Sequence, residues 1–459
     1  MLNLGVLVIA LAPPILQYMS RINHSVFAMK TNRVLPSLSN SYSKWRPMFQ
    51  LTVMAILLAG AGPMMAASDD WPAWRGPTRD GIAAPGQKPP VRWSDSENII
   101  WRTPVPGRGH SSPTVVGQHI YLTTADFEKQ TQHVLCFDRG DGKLVWDTVV
   151  HQGGLIQTGH RNTSHANSTV VSDGEQLYVN FLNDKAIHTT ALDRQGKIRW
   201  QHRVCDFVTH QGFGSSPVVE GNLVLVTADH RGGGTVAGLD RTTGKAVWEQ
   251  PRPKIPNYTS PAVVRAAGRT QMIVAGCNLI SSFDPQTGKK LWEIEGATEE
   301  CVVTPITDGE RVFTSGGYPK NHMIAVQADG SGKVAWQNIT RVYVPSMIHD
   351  AGYLYAVLDA GMAVCWKSAT GEEVWKERLG GDYYSGPVRV DERIYVTSLG
   401  GLTSVFEARP SGFKLLAQNQ LGNEVFATPA ICGNRIYHRF ATTGEVRKEF
   451  LVCIGAPAK

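Results

Sequence analysis

The chain has 459 residues, 18% of them charged and 46 of them glycine, with a formal net charge of +6. Charge this low with glycine this abundant argues against a helical bundle and for many short strands joined by tight turns, where glycine supplies positive φ. The basic excess is confined to the first 68 residues, which hold Arg21, Lys30, Arg33, Lys44 and Arg46 and no acidic residue; the remainder carries 40 basic against 39 acidic residues. A nearly neutral body without Lys/Arg runs gives no reason to expect nucleic acid as a partner.

Residues 1–67 read as a leader. Lys44 and Arg46 precede the apolar run from Phe49 to Ala61, and the small pair Ala66-Ala67 follows. That order is the one of a cleaved signal peptide, because the run is shorter than the roughly 20 apolar residues that span a bilayer. The expectation is an exported product, periplasmic or extracellular, with no stable membrane span after cleavage. Residues 68–97 form an N-terminal extension, and residues 98–459 carry the repeats.

Between residues 101 and 455 one pattern recurs: a polar loop, Ser-Pro, a β-branched run, a turn, two further strands, then T-G-K-x-x-W. The clearest copies are SSPVVEGNLVLVT from Ser215 running on to GLDRTTGKAVW at Trp248, and TSPAVV from Thr259 running on to FDPQTGKKLW at Trp292. The leading proline falls at Pro113, Pro217, Pro261, Pro305, Pro345, Pro387 and Pro429, with Thr169 in its place in the second copy. A glycine stands four residues before each aromatic, from Gly142 and Trp146 to Gly371 and Trp375; in the seventh copy Gly412 leads only to Leu416. A period of about 44 residues holds four strands, which is one blade of a propeller, and such a sheet must stack on neighbours to cover both faces.

The last copy stops after its third strand, whereas Asn98-Ile99-Ile100-Trp101 supplies an unmatched strand twelve residues before Pro113. Pairing the two ends removes both open edges. The predicted fold is therefore all-β, an eight-bladed β-propeller of four-stranded blades closed by the N-terminal strand. Cys136, Cys365 and Cys453 share one repeat position that elsewhere holds Ala191, Gly238 or Ser282. They read as small core residues rather than a disulfide framework.

The repeats resemble the pyrroloquinoline-quinone-like (PQQ-like) propellers, a superfamily that includes quinoprotein alcohol dehydrogenases and the propeller subunit of the bacterial outer-membrane assembly machine. The opening Asp70-Trp71-Pro72-Ala73-Trp74-Arg75-Gly76-Pro77 is similar to that of exported PQQ-like proteins of planctomycete type. The chain lacks the adjacent cysteine pair of the large dehydrogenases, and its leader lacks the cysteine of a lipoprotein. Neither family function transfers cleanly, and the expectation is an exported, non-catalytic scaffold that binds a small molecule, a glycan or a protein on its loop face. The alternatives are a small quinoprotein dehydrogenase, with PQQ and calcium across the axis and a carboxylate as base, and a polysaccharide-binding or carbohydrate-active propeller.

The loops leading into each Ser-Pro are where chemistry is expected. The longest, after Trp146, holds His160, Arg161, His165 and Asn167; His110 opens the first blade and His210 the third. Opposing loops add Glu299, Glu300, Tyr343, Tyr383 and Tyr384. These residues are the candidate ligand contacts of an axial pocket: imidazoles and carboxylates for polar recognition, tyrosines for stacking. No pair has the close spacing of a metal motif, so no metal site, catalytic residue or firm cofactor is assigned.

Overall fold

The computed structural model describes residues 69–157, 160 and 162–456. The leader lies outside these residues, as does Arg161. The described chain contains 32 strands in eight four-stranded sheets and no helix. The eight sheets form an eight-bladed β-propeller, each blade running inner to outer in sequence order except the last. There the order is Ile99–Val105 outermost, then Lys448–Ile454, Arg435–Thr442 and Ala430–Cys432. The strand read in the sequence as a loose end pairs antiparallel with the C-terminal strand, Trp101 facing Cys453.

Middle strands are covered on both faces by neighbouring blades. All six positions of Leu223–Ala228 are buried, whereas in the outer strand Ala246–Pro251 only Trp248 is. Each outer-strand tryptophan lies across from the small repeat position: Trp146 from Cys136, Trp200 from Ala191, Trp248 from Gly238, Trp375 from Cys365. A register shift follows immediately in every blade, so the bulge and the large–small pairing repeat together. In the seventh blade the residue across from Val405 is Ala417, not Leu416. The bulge there displaces Leu416 from the register, and the blade trades the small–large pair for a medium Val405 facing a small Ala417.

The same tryptophans join blades. Trp101, Trp146 and Trp200 donate their indole N–H to the backbone carbonyls of Arg139, Arg194 and Arg241 in the next blade. Their rings rest on that blade's turn glycine. A Cβ on Gly142 would stand 2.4 Å from the Trp101 ring, and its φ of +74° already disfavours any other residue. The G of the G-x-x-x-W repeat thus receives the W of the blade before it.

Around the axis, the residue two before an inner strand hands a backbone hydrogen bond to its counterpart's hydroxyl in the next blade, in six of the eight blades. Ser112 N donates to Thr169 Oγ1 at 3.0 Å, Thr169 N to Ser216 Oγ and Ser216 N to Ser260 Oγ, each at 2.9 Å. Thr304 N donates to Ser346 Oγ at 3.2 Å and Gly386 N to Thr428 Oγ1 at 2.8 Å. This belt corrects the repeat phase in two blades. Thr169 matches the serine before proline, not the proline, and in the sixth blade Ser346-Met347 holds the place expected of Pro345. Proline only favours an extended start to the strand, whereas a hydroxyl stands at the belt position in every blade but the seventh, where Gly386 takes it, and that position marks the register.

The extension crosses the face opposite the loops. Trp71 exchanges backbone hydrogen bonds with Val115, Ser172 N donates to Pro72 O, and Ala83 N donates to Arg389 O. Trp71 is buried, and Gly76 lies against its ring so closely that a Cβ would sit 2.8 Å away. Trp74 then reaches the axis, its indole N–H donating to Thr304 Oγ1 at 3.0 Å.

Candidate functional site

An axial cavity of about 460 Å³ opens on the face made by the outer-to-inner loops. Its walls follow the repeat in two tiers. The lower tier is the belt, with Ser112, Thr169, Ser216, Ser260 and Ser346 lining the cavity. The upper tier is the residue two positions before each belt residue: His110, Asn167, Gly214, Tyr258, Val302, Val344, Tyr384 and Phe426, all of which line it. Alternation along an extended backbone places these two positions on one side. Trp74 contributes from the extension.

One wall is aromatic. The His110 ring stacks on Phe426 with centroids 3.8 Å apart, and Tyr384 lies 5.8 Å from the same Phe426. Burial first, then the charges of Arg108, Arg439 and Arg447, hold His110 well below the usual histidine pKa, so it is neutral at pH 7. Its Nε2 has no hydrogen-bond partner among the described residues. Asn162 Nδ2 donates to Tyr384 Oη at 3.3 Å.

The other wall centres on Glu300, 2% exposed. Its Oε1 lies 3.1 Å from His210 Nδ1, and its Oε2 accepts from the Tyr343 hydroxyl at 3.2 Å. Tyr258 Oη is 3.2 Å from the same His210 nitrogen. Burial, and then the Glu300 charge, push the Tyr343 and Tyr258 hydroxyls above their ordinary pKa, so both remain protonated. Asp359 accepts the backbone N–H groups of Tyr343 and Val344 at 2.8 and 3.2 Å, and the Arg341 guanidinium sits 5.0 Å over the Tyr343 ring. Gly317 admits that ring, since a Cβ there would meet Tyr343 at 2.6 Å. The arrangement orients a carboxylate rigidly and gives each of its oxygens a partner.

Of the candidate contacts read in the sequence, His110, His160, Asn167, Glu300, Tyr343 and Tyr384 line the cavity, and His210 reaches it through Glu300. His165 turns away, its Nε2 2.7 Å from Ile156 O and its ring stacked on Phe127. Tyr383 is fully buried between the sixth and seventh blades. Glu299 is outside the lining and uses its carbonyl to accept from Cys277 N at 2.8 Å. Sequence reading missed Tyr258, Phe426, Arg341 and Trp74. The first two hold the upper-tier repeat position, a signal that phase alone carries.

Among the described residues no three His, Cys, Asp or Glu side chains gather where they could hold a metal ion. PQQ with calcium asks for oxygen ligands to the ion and for partners to three carboxylates. Among the described lining residues Glu300 is the one carboxylate, already held by His210 and Tyr343, and Arg341 is the one guanidinium or ammonium. The donor set does not match that cofactor. All seven cysteines are unpaired, and burial pushes Cys136 and Cys205 up to about 12 and Cys301 to about 11, so none is a ready nucleophile.

A model of the family described as outer membrane protein assembly factor BamB matches residues 91–207, 130–377 and 349–409. No curated protein matches significantly. Among solved structures, BamB from Moraxella catarrhalis is similar with a TM-score of 0.57 at 14% identity, over 79% of this chain and 98% of that one. A europium-containing methanol dehydrogenase has a TM-score of 0.62 at 12% identity, over 84% and 98%. The quinohemoprotein alcohol dehydrogenase from Pseudomonas putida HK5 has 0.59 at 12%, over 85% and 81%. At these identities the structures speak for the fold alone.

Proposed function

The chain belongs to the PQQ-like repeat β-propeller family of the outer membrane protein assembly factor BamB, and from that premise we propose that it is an exported binding propeller whose axial cavity takes a small, ring-bearing polar ligand of saccharide size. The observation that carries this is the two-tier wall, with Tyr258, Tyr384, His110 and Phe426 standing over a collar of hydroxyls. Ring faces above convergent polar groups are the usual make-up of a small-molecule site, and about 460 Å³ is within the range such sites occupy. Binding rather than turnover is favoured because both Glu300 oxygens are engaged and the thiols are buried. Export is supported by the leader pattern, and no helix among the described residues is long and apolar enough to cross a membrane.

Titration calorimetry of the mature chain with a panel of mono- and disaccharides tests this. Saturable binding that weakens about tenfold or more in Tyr258→Ala and Phe426→Ala is expected, each removing a stacked ring. Absence of heat for every sugar at millimolar concentration would sink the reading.

A second reading, protein docking on the same face, is favoured by Ile339, 85% exposed, and Val208, 51% exposed, both in loops around the cavity. A partner cross-linked by the wild type but lost in Val208→Asp and Ile339→Asp would favour it over the first.

A further inference from the structure

The lower tier has an imbalance that the binding reading leaves unused. The hydroxyls of Ser112, Thr169, Ser216, Ser260 and Ser346 each accept a backbone N–H from the neighbouring blade, at 2.9–3.2 Å. A hydroxyl also carries one proton to donate. None of these five donates to any described residue, and all five line the cavity while being buried within the fold. They form a collar of uncommitted donors around one axis.

Two of the side-chain acceptors nearby are already in use. Glu300 is held by His210 and Tyr343, and the Asn167 side-chain oxygen accepts both Ser164 N and Ser164 Oγ, at 3.1 and 2.6 Å. Arg341, at the cavity wall, makes no ion pair among the described residues and spends one N–H on Gly317 O at 3.2 Å. The lining thus holds five hydroxyl protons that no described residue takes up, beside one guanidinium with no ion pair among the described residues, and an acceptor-rich anion would satisfy both.

We infer that the collar receives the carboxylate of an acidic saccharide, with the sugar ring lying against the aromatic upper tier. This rests on the binding reading and specifies its ligand. An ionised carboxylate accepts at about four lone-pair sites and donates none, which matches several converging hydroxyls. Hydroxyl bonds to an oxyanion are also shorter and roughly twice as strong as those to a neutral oxygen. A neutral sugar oxygen can accept the same bonds, but without the charge that strengthens them and without an attraction to Arg341.

The test is calorimetric, on the wild-type mature chain, with D-glucuronate and D-galacturonate set against D-glucose and D-galactose. The acidic sugars are expected to bind about tenfold or more tightly, with that preference falling to about threefold or less in the Ser216→Ala/Ser260→Ala double variant. Equal affinity for acidic and neutral sugars would overturn the collar while leaving the binding reading intact. No binding by either class would remove both. The wild-type preference decides the matter even if the double variant does not fold.

Discussion

Thr428 donates its backbone N–H to the Ser112 hydroxyl at 3.0 Å, although the two stand 316 residues apart. This bond joins the last inner strand to the first at the axis, while Ile99–Val105 joins the same ends at the rim. The wheel is thus closed twice, once by backbone ladder and once by hydroxyl.

The belt predicts a specific loss at Thr169. Replacing it with valine keeps the shape but strands the buried Ser112 N–H, which donates to Thr169 Oγ1 at 3.0 Å. An unmade buried hydrogen bond costs about 1–3 kcal/mol. Denaturant unfolding should show a loss of that size for Thr169→Val and almost none for Thr169→Ser; equal stability of the valine variant would mean the belt is idle.

Ring closure predicts coupling between Trp101 and Gly142. Trp101→Ala removes a half-buried ring and should destabilise the protein by about 2–3 kcal/mol, below the range for fully buried aromatics. Gly142→Ala should destabilise it too, because its φ is +74° and the added Cβ meets the Trp101 ring at 2.4 Å. With the ring gone, part of that penalty disappears, so the double variant should lose less than the two single losses added. Full additivity in unfolding experiments would argue that the two residues do not touch.

Acid sensitivity is predicted from buried neutral histidines. Burial lowers His438 to about 4, and neither of its ring nitrogens has a partner among the described residues. The same cause lowers His151 to about 4. The unfolded chain takes up these protons near pH 6.5, whereas the folded chain resists until about 4. Stability from these groups is therefore complete above pH 6.5 and lost as pH falls toward 4, by about 3 kcal/mol for a shift of His438's size. His438→Leu should flatten the melting temperature between pH 4 and 6.5; an unchanged slope would show that His438 is not the titrating group.

Blade number, the closing strand and the small repeat position were all legible in the sequence, although only the strand register shows that this position faces each tryptophan. Each recurs with the blade period, and each follows from local chemistry: a turn glycine, an extended run, a volume that must be matched across a strand pair. Site residues were legible only as far as the phase was right. Tyr383 and Tyr384 are neighbours of one type, yet Tyr384, two before the belt residue Gly386, meets the cavity while Tyr383 enters the inter-blade core. Parity along an extended chain sends adjacent side chains to opposite sides, and only the hydroxyl belt, made of contacts between blades, reveals which parity applies. Trp74 carries no period at all. Its place beside the cavity comes from a segment that crosses the wheel and bonds to Thr304, 230 residues away, and a contact between segments that distant leaves no spacing for a sequence to display.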